Sequence, residues 1–139
     1  MIKLGIDASN IKAGGGLVHL RKSIEYFNPI SFGISNIVIV GGSQLVDLDE
    51  KNWLVKSIQI DLEKSFLSQV FWKVFKRNKV FSEHCVDVVW APGGTFYSSS
   101  IPYISMSQNM LVFQEKERNL YRYSLKWIRL KLLEFVQVR

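Results

Sequence analysis

Cysteine, histidine and proline are scarce in this chain of 139 residues, which contains one cysteine, two histidines and three prolines. A single cysteine excludes a disulfide framework within the chain and a zinc site built from several cysteines. Cys85 stands just before an apolar run, so we expect a thiol packed in the interior. Catalytic pairing with His84 is disfavoured, because neighbouring residues in a strand point to opposite faces.

Long apolar runs are also absent. No stretch approaches the ~18 apolar residues of a membrane-spanning helix. The N-terminal apolar run is too short for a signal peptide, and Asp7 interrupts it. We therefore expect a cytoplasmic protein, and peripheral contact with the inner face of the membrane stays open.

The composition is that of a globular domain with a basic surface. Hydrophobic residues make up 47% and charged residues 22% of the chain, and the net charge is +6. That charge favours an anionic partner, such as a phosphorylated ligand, an anionic lipid surface or nucleic acid. A solvated basic face explains it equally well. Nucleic acid is disfavoured, because no aromatic strand motif or recognition-helix pattern is present.

Apolar strands alternate with amphipathic helices along the chain. The pattern predicts strands at 2–6, 36–41, 86–90 and 102–107, an uncertain strand within 53–60, and helices at 17–27, 65–81 and 115–136. The helix at 65–81 carries a stripe of Leu67, Val70, Phe71, Val74 and Phe75. We therefore predict one α/β domain of the Rossmann-like class, with a mostly parallel sheet and helices on both faces.

In sheets of this class, ligands bind beyond the carboxyl ends of the strands. Here those ends are followed by "DASNIKAGGG", "APGGT" and "SQNM". We expect Asp7, Gly93 and Gly94 to orient a ligand at this edge. Asp7 has an alternative role, in which its carboxylate caps the loop through an Asx turn.

The glycine loop precedes the first helix. Helix N-termini attract anions, and glycines allow a phosphate to approach the backbone, so Gly15 and Gly16 are candidate diphosphate or acceptor contacts. The spacing matches neither a dinucleotide-binding nor a P-loop motif, which disfavours a dinucleotide or ATP site. On spacing alone, a flexible turn explains the glycines slightly better than a phosphate contact does. His19, in the first turn of the helix, is a candidate hydrogen-bond donor or base, although lone histidines are more often structural or exposed.

Two uncharged amides follow the last predicted strand. Gln108 and Asn109 are poor bases but can fix sugar or phosphate oxygens by paired hydrogen bonds. The alternative is that they satisfy the local loop, with Asn109 capping the next turn.

The predicted last helix is apolar on two sides. Between the apolar stripes runs a basic stripe of Arg118, Arg122, Lys126 and Arg129. One apolar side covers the core of the domain, and the other is left for a second domain, for self-association or for an anionic membrane surface.

Three segments together resemble the N-terminal domain of family 4 glycosyltransferases of the GT-B fold: "LGIDASNIKAGGGLVHL", "VDVVWAPGG" and "IPYISMSQNMLVF". The likeness extends over nearly the whole chain. It implies transfer of a sugar, with retention, from a nucleotide-sugar donor to a saccharide or lipid-linked acceptor, without a bound metal or other cofactor, since the nucleotide sugar is a substrate. The N-terminal domain of such enzymes mainly receives the acceptor, and its glycine loop lies against the donor diphosphate.

The resemblance also implies a missing part. In the family, most donor contacts, including a pair of glutamates, come from a C-terminal domain, and residues 110–139 do not supply them. Gln108 stands near the place where many relatives carry a histidine. We therefore expect residues 1–139 to form an incomplete acceptor-side domain, inactive without that second domain. The alternatives are a non-catalytic module that binds an anionic ligand or a membrane surface, and an inactive remnant.

Overall fold

The described part of the chain is built around one parallel sheet. The computed structural model describes residues 1–94, 96–98, 100–106, 122, 124 and 127. The strands in this part are β1 (Ile2–Asp7), β2 (Ile34–Gly41), β3 (Leu54–Ile58), β4 (Val88–Ala91) and β5 (Tyr103–Ser105). They lie in the order β3-β2-β1-β4-β5, and every neighbouring pair is parallel. This topology confirms the predicted α/β, Rossmann-like class, including the uncertain strand within 53–60.

Helical crossovers join the strands on both faces of the sheet. Helix α1 (Gly15–Tyr26) connects β1 to β2, and a second helical stretch connects β3 to β4. That stretch consists of α2 (Phe66–Phe71), a π-helix (Trp72–Lys76) and α3 (Arg77–Glu83). Short 3-10 helices lie at Pro29–Phe32, Ser43–Leu45 and Ile60–Leu62. The helix predicted at 115–136 lies outside the described residues, apart from residues 122, 124 and 127.

The core forms two clusters, one on each face of the sheet. Ile6 and Ile39 face Leu20 and Ile24 of α1. On the other face, Val38, Val40 and Val89 belong to a cluster with the buried side chains Trp72 and Phe81. Residues 37–40 are buried without interruption, as expected for a central strand covered on both sides. Full burial of each such apolar side chain contributes about 1.5–3 kcal/mol.

The second helical stretch presents an unexpected face to the sheet. Trp72 and Phe81 fill the space against the strands, and the Trp72 indole N–H donates to Gln59 Oε1 at 3.0 Å. The apolar stripe that identified this helix in the sequence points outward, together with Phe66. Its exposed members are Phe66, Leu67, Val70, Phe71, Val74 and Phe75. The helix is apolar on two sides, so periodicity predicts the helix but not which side is buried.

The expectation of a packed thiol at Cys85 is wrong. Cys85 is exposed and has a φ of 52°, in the left-handed region. It terminates α3: its N–H donates to the Ser82 carbonyl oxygen, and the N–H of Val86 donates to the Phe81 carbonyl oxygen. The reversal of the chain at the helix end turns this side chain away from the core.

Candidate functional site

The carboxyl edge of the sheet gathers the loops that follow β1, β2 and β4. Gln44, just after β2, donates from Nε2 to the carbonyl oxygens of Ala8 (3.1 Å) and Ile11 (2.8 Å) in the loop after β1. On the other side of that loop lies Gly93, where a Cβ would stand 2.8 Å from Ile11 Cγ1. Glycine is therefore required at 93 by close packing. The structure thus brings together the loops that carry Asp7, the glycine run and Gly93.

Asp7 is buried and held by protein groups. Its Oδ1 accepts from the N–H of Ser9 at 3.0 Å, and its Oδ2 accepts from Arg77 Nη1 at 3.3 Å. The Arg77 guanidinium also lies over the Phe96 ring, 4.4 Å from its centroid. Burial lowers the pKa of Arg77, and the nearby Asp7 carboxylate opposes this effect. These contacts match the loop-capping alternative, and they fix the β1 loop to α3.

The three consecutive glycines differ in what the fold requires of them. Gly14 is the N-cap of α1, with φ 72° and ψ −156°, a conformation that is almost restricted to glycine. Among the described residues, a Cβ on Gly15 would meet nothing within 4 Å, and one on Gly16 would make only an ordinary contact with Ile11 at 3.5 Å. No side chain in the described part of the chain caps α1, and its first turn has no acidic residue. The positive end of α1 is therefore open at this edge.

Three further predicted site residues, His19, Gly94 and Arg122, lie within the described part of the chain. His19 is exposed and stands about 160° around α1 from Leu17, at ~100° per residue. Gly94 lies in the loop after β4, where its carbonyl oxygen accepts from Ser105 Oγ at 2.6 Å. Arg122 is exposed. The remaining predicted site residues, Gln108, Asn109, Arg118, Lys126 and Arg129, lie outside the described residues.

A groove of about 330 Å³ lies at this edge, between α1 and the segments that follow β2 and β3. Arg21 pairs with Asp47 at 3.3 Å, and Glu63 Oε1 accepts from the N–H of Ser43 at 2.9 Å. Its lining residues are Lys12, Leu17, Arg21, Ser43, Gln44, Asp47 and Glu63. Sequence reasoning missed this groove. The available signal was "GGSQL", a glycine pair with polar residues directly after the second strand.

Lysines also connect the β1 loop to elements distant in sequence. Lys73, from the π-helix, donates to Asn10 Oδ1 at 2.5 Å, and Lys12 donates to the Leu62 carbonyl oxygen at 2.8 Å. Burial lowers the pKa of Lys73, and the charge of Asp7 opposes that shift. Together with the α1 N-terminus, these ammonium groups make the edge attractive to an anion.

The chemical groups at the edge are suited to binding hydroxyls and anions. The groove offers a serine hydroxyl, an amide, two carboxylates and two cations, the donors and acceptors that sugar hydroxyls pair with. No group of three or more His, Cys, Asp or Glu residues able to hold a metal ion is found among the described residues. None of the helices in the described ranges is long and apolar enough to cross a membrane.

Comparison with protein-family models, with curated proteins and with solved structures gave no match to this chain. The carboxyl edge of the sheet is therefore the feature that points to a function. Its two distinctive features are the open N-terminus of α1 at Gly15 and Gly16 and the polar groove beside it.

Proposed function

We propose that this chain is the acceptor-side domain of a GT-B, family 4-like glycosyltransferase. In this proposal, the complete enzyme transfers a sugar, with retention, from a nucleotide-sugar donor to a saccharide or lipid-linked acceptor. Two of the three segments that resemble the family, those containing Gly15 and Gly93, meet at the carboxyl edge of the sheet. The third begins in β5 and runs into Gln108 and Asn109, which we propose as further contacts to the substrate.

The observation that carries the proposal is the open space at Gly15 and Gly16. Neither residue has a φ that requires glycine, and neither would clash if it carried a Cβ. Alanine would also favour the helix, because glycine is the poorer helix former by about 0.5–1 kcal/mol. Folding therefore does not account for these glycines. Close approach of a diphosphate to the N–H groups of α1 does account for them.

The groove supplies the neighbouring subsite for a sugar. A volume of about 330 Å³ lies at the lower end of the range for small-ligand sites, ~300–1,000 Å³. Ser43, Gln44 and Glu63 stand within reach of hydroxyl groups in that space. Arg21 and Asp47, already paired with each other, can exchange that exposed contact for hydrogen bonds to the substrate at little cost.

One wall of a cleft is not a complete active site. Sugar transfer requires donor and acceptor to be held together with water excluded, and the described residues form only one side of such a cleft. We therefore propose that the chain alone is inactive, and that a second domain completes the donor site. The enzyme would work in the cytoplasm or peripherally at the inner membrane face, where a lipid-linked acceptor is accessible.

Calorimetry and a transfer assay test this proposal together. The wild-type chain is titrated with a panel of nucleotide sugars and a panel of acceptor saccharides, alongside the Gly15→Ala/Gly16→Ala variant. We expect weak binding of a nucleotide sugar, lost in the variant, and no sugar transfer by either chain. Measurable transfer by the purified chain alone would overturn the claim that a second domain is needed.

A second candidate is a non-catalytic module that binds an anionic ligand. The observation in its favour is the cationic edge formed by Lys12, Lys73 and the α1 N-terminus, in a chain of net charge +6. Inorganic pyrophosphate distinguishes the candidates, because a module for anions binds it as tightly as any nucleotide sugar and binds no neutral saccharide. A glycosyltransferase domain binds the saccharide acceptor independently of charge.

A further inference from the structure

The outer face of the second helical stretch is an apolar surface exposed to solvent. Its members are Phe66, Leu67, Val70, Phe71, Val74 and Phe75, which we call the α2 face. They form one continuous patch, since each member lies three or four residues along the chain from another member, and the rings of Phe71 and Phe75 are 4.9 Å apart. Monomeric proteins rarely leave a contiguous apolar patch of more than a few hundred Å² uncovered without a binding role.

Cationic side chains accompany this patch. Lys64 precedes α2, Lys76 belongs to the π-helix, and Lys79 belongs to α3. Lys64, Lys76 and Lys79 are exposed, and all three keep their ammonium groups at the surface in contacts with carboxylates. Aromatic and aliphatic residues on one side of a helix with lysines beside them are typical of helices that lie in the interface of an anionic bilayer.

Charge favours a lipid surface over other possible occupants of the α2 face. A second copy of the chain would bring together two molecules that each carry a net charge of +6. The segment 107–139 of this chain is also basic, with seven lysines and arginines against three acidic residues. An anionic lipid surface is the occupant that complements both the apolar side chains and the lysines.

We propose that the α2 face docks this protein on an anionic lipid bilayer, with Phe71 and Phe75 inserted among the acyl chains and the lysines against the headgroups. The α2 face lies next to the candidate site, because Lys73 on this helical stretch donates a hydrogen bond to Asn10 of the β1 loop. This inference does not depend on the proposed glycosyltransferase function, since it requires neither a donor nor an acceptor. It differs from the predicted basic stripe of Arg118, Arg122, Lys126 and Arg129 as the site of membrane contact.

Vesicle co-sedimentation of the purified full chain tests the dock. The vesicles are made of phosphatidylcholine alone, or of phosphatidylcholine with one quarter phosphatidylglycerol. We expect binding to the anionic vesicles and a loss of roughly tenfold or more in the Phe71→Ser/Phe75→Ser variant. The matched control is Ile30→Ser/Phe32→Ser, which removes side chains of similar exposure (66% and 67%, against 53% and 68%) and should bind like the wild type.

A charge variant and a solution measurement complete the experiment. Asp61 pairs with both Lys64 and Lys76, so Asp61→Asn should release these lysines and increase binding to anionic vesicles by about fivefold.

Absence of wild-type binding, or an equal loss in the Ile30→Ser/Phe32→Ser control, would overturn the proposal. A lipid-free dimer in light scattering that Phe71→Ser/Phe75→Ser converts to a monomer would also overturn it, because a second copy then covers the face. Neutralising the four basic stripe residues to glutamine, which lowers the net charge from +6 to +2, should weaken vesicle binding less than Phe71→Ser/Phe75→Ser does, and an equal or greater loss would overturn the assignment to the α2 face.

Discussion

The buried ion pair of Asp7 and Arg77 joins the end of β1, where the candidate site begins, to α3. The exposed side-chain fractions are 2% for Asp7 and 9% for Arg77, and the two charged groups are 3.3 Å apart. At that distance, an effective dielectric constant near 20 gives an attraction of about 5 kcal/mol. Removing one partner of a buried pair leaves an uncompensated charge and costs ~3–5 kcal/mol.

Asp7→Asn is the cleanest perturbation of this pair. The amide oxygen can still accept from the Ser9 N–H, and Arg77 keeps its contact with the Phe96 ring, so the variant removes mainly the charge. We expect the free energy of unfolding to fall by about 3–5 kcal/mol, a large part of the ~5–15 kcal/mol available to a domain. In urea, this corresponds to a midpoint lower by about 2 M, because the denaturant slope for a small protein is ~1–3 kcal/mol/M.

Urea unfolding followed by tryptophan fluorescence measures this loss. Trp72 is a suitable probe, because it is buried in the core cluster that contains Phe96, the ring under the Arg77 guanidinium. The double variant Asp7→Asn/Arg77→Met removes both charges and should recover roughly 2–3 kcal/mol relative to the sum of the single losses. It also keeps the experiment informative if Asp7→Asn does not fold. A loss below about 1 kcal/mol in Asp7→Asn, or strict additivity in the double variant, would refute the claim that this pair stabilises the site.

Further predictions concern the glycine loop, the end of α3 and acid stability. Gly14→Ala should destabilise the chain by about 1–3 kcal/mol because of its backbone conformation, while Gly15→Ala should be neutral or slightly stabilising; equal losses in thermal unfolding would contradict this distinction. Cys85→Gly should raise the stability by about 1 kcal/mol, because glycine adopts a φ of 52° without strain, and an unchanged melting temperature would count against the strain. Hydrogen bonds from Lys76, the larger effect, and from Lys64 lower the pKa of Asp61 from 3.8 to about 2. The stabilisation of the fold by the ionised Asp61 is therefore complete above pH ~4 and is lost as the pH falls through about 2. Between those pH values, the free energy of unfolding should therefore fall less steeply in Asp61→Asn than in the wild type. Identical pH dependence in the two proteins would contradict the pairing.

The fold could be predicted because its signals are local. Continuous apolar runs such as residues 37–40 predict central strands, and the spacing of Leu17, Leu20 and Ile24 predicts α1 with its correct buried side. The second helical stretch carries large apolar residues on both sides. Which side is buried depends on how Trp72 and Phe81 fit against the sheet, and this is a property of the packing and not of the spacing.

The candidate site was predictable only in part. The rule that strand ends meet at one edge correctly placed Asp7, the glycine run and Gly93 near each other. Lys73 and Glu63 contribute to the edge from elements far along the chain, and no motif links them to the β1 loop. The burial of Asp7 against Arg77, 70 residues away, is likewise set by the crossover from β3 to β4.

Amide chemical-shift mapping is the most direct test of the central claim that the carboxyl edge binds a nucleotide sugar and its acceptor. The ¹⁵N-labelled chain is titrated with uridine diphosphate and guanosine diphosphate, and then with neutral oligosaccharides. We predict weak binding, with a dissociation constant of about 1–10 mM, because one wall of the cleft provides only part of the contacts. A diphosphate should shift the Gly15 and Gly16 amides, a saccharide should shift those of Ser43 and Gln44, and the α2 face should not respond to either. No shifts at these four amides up to saturating ligand, or shifts confined to other parts of the chain, would contradict the account.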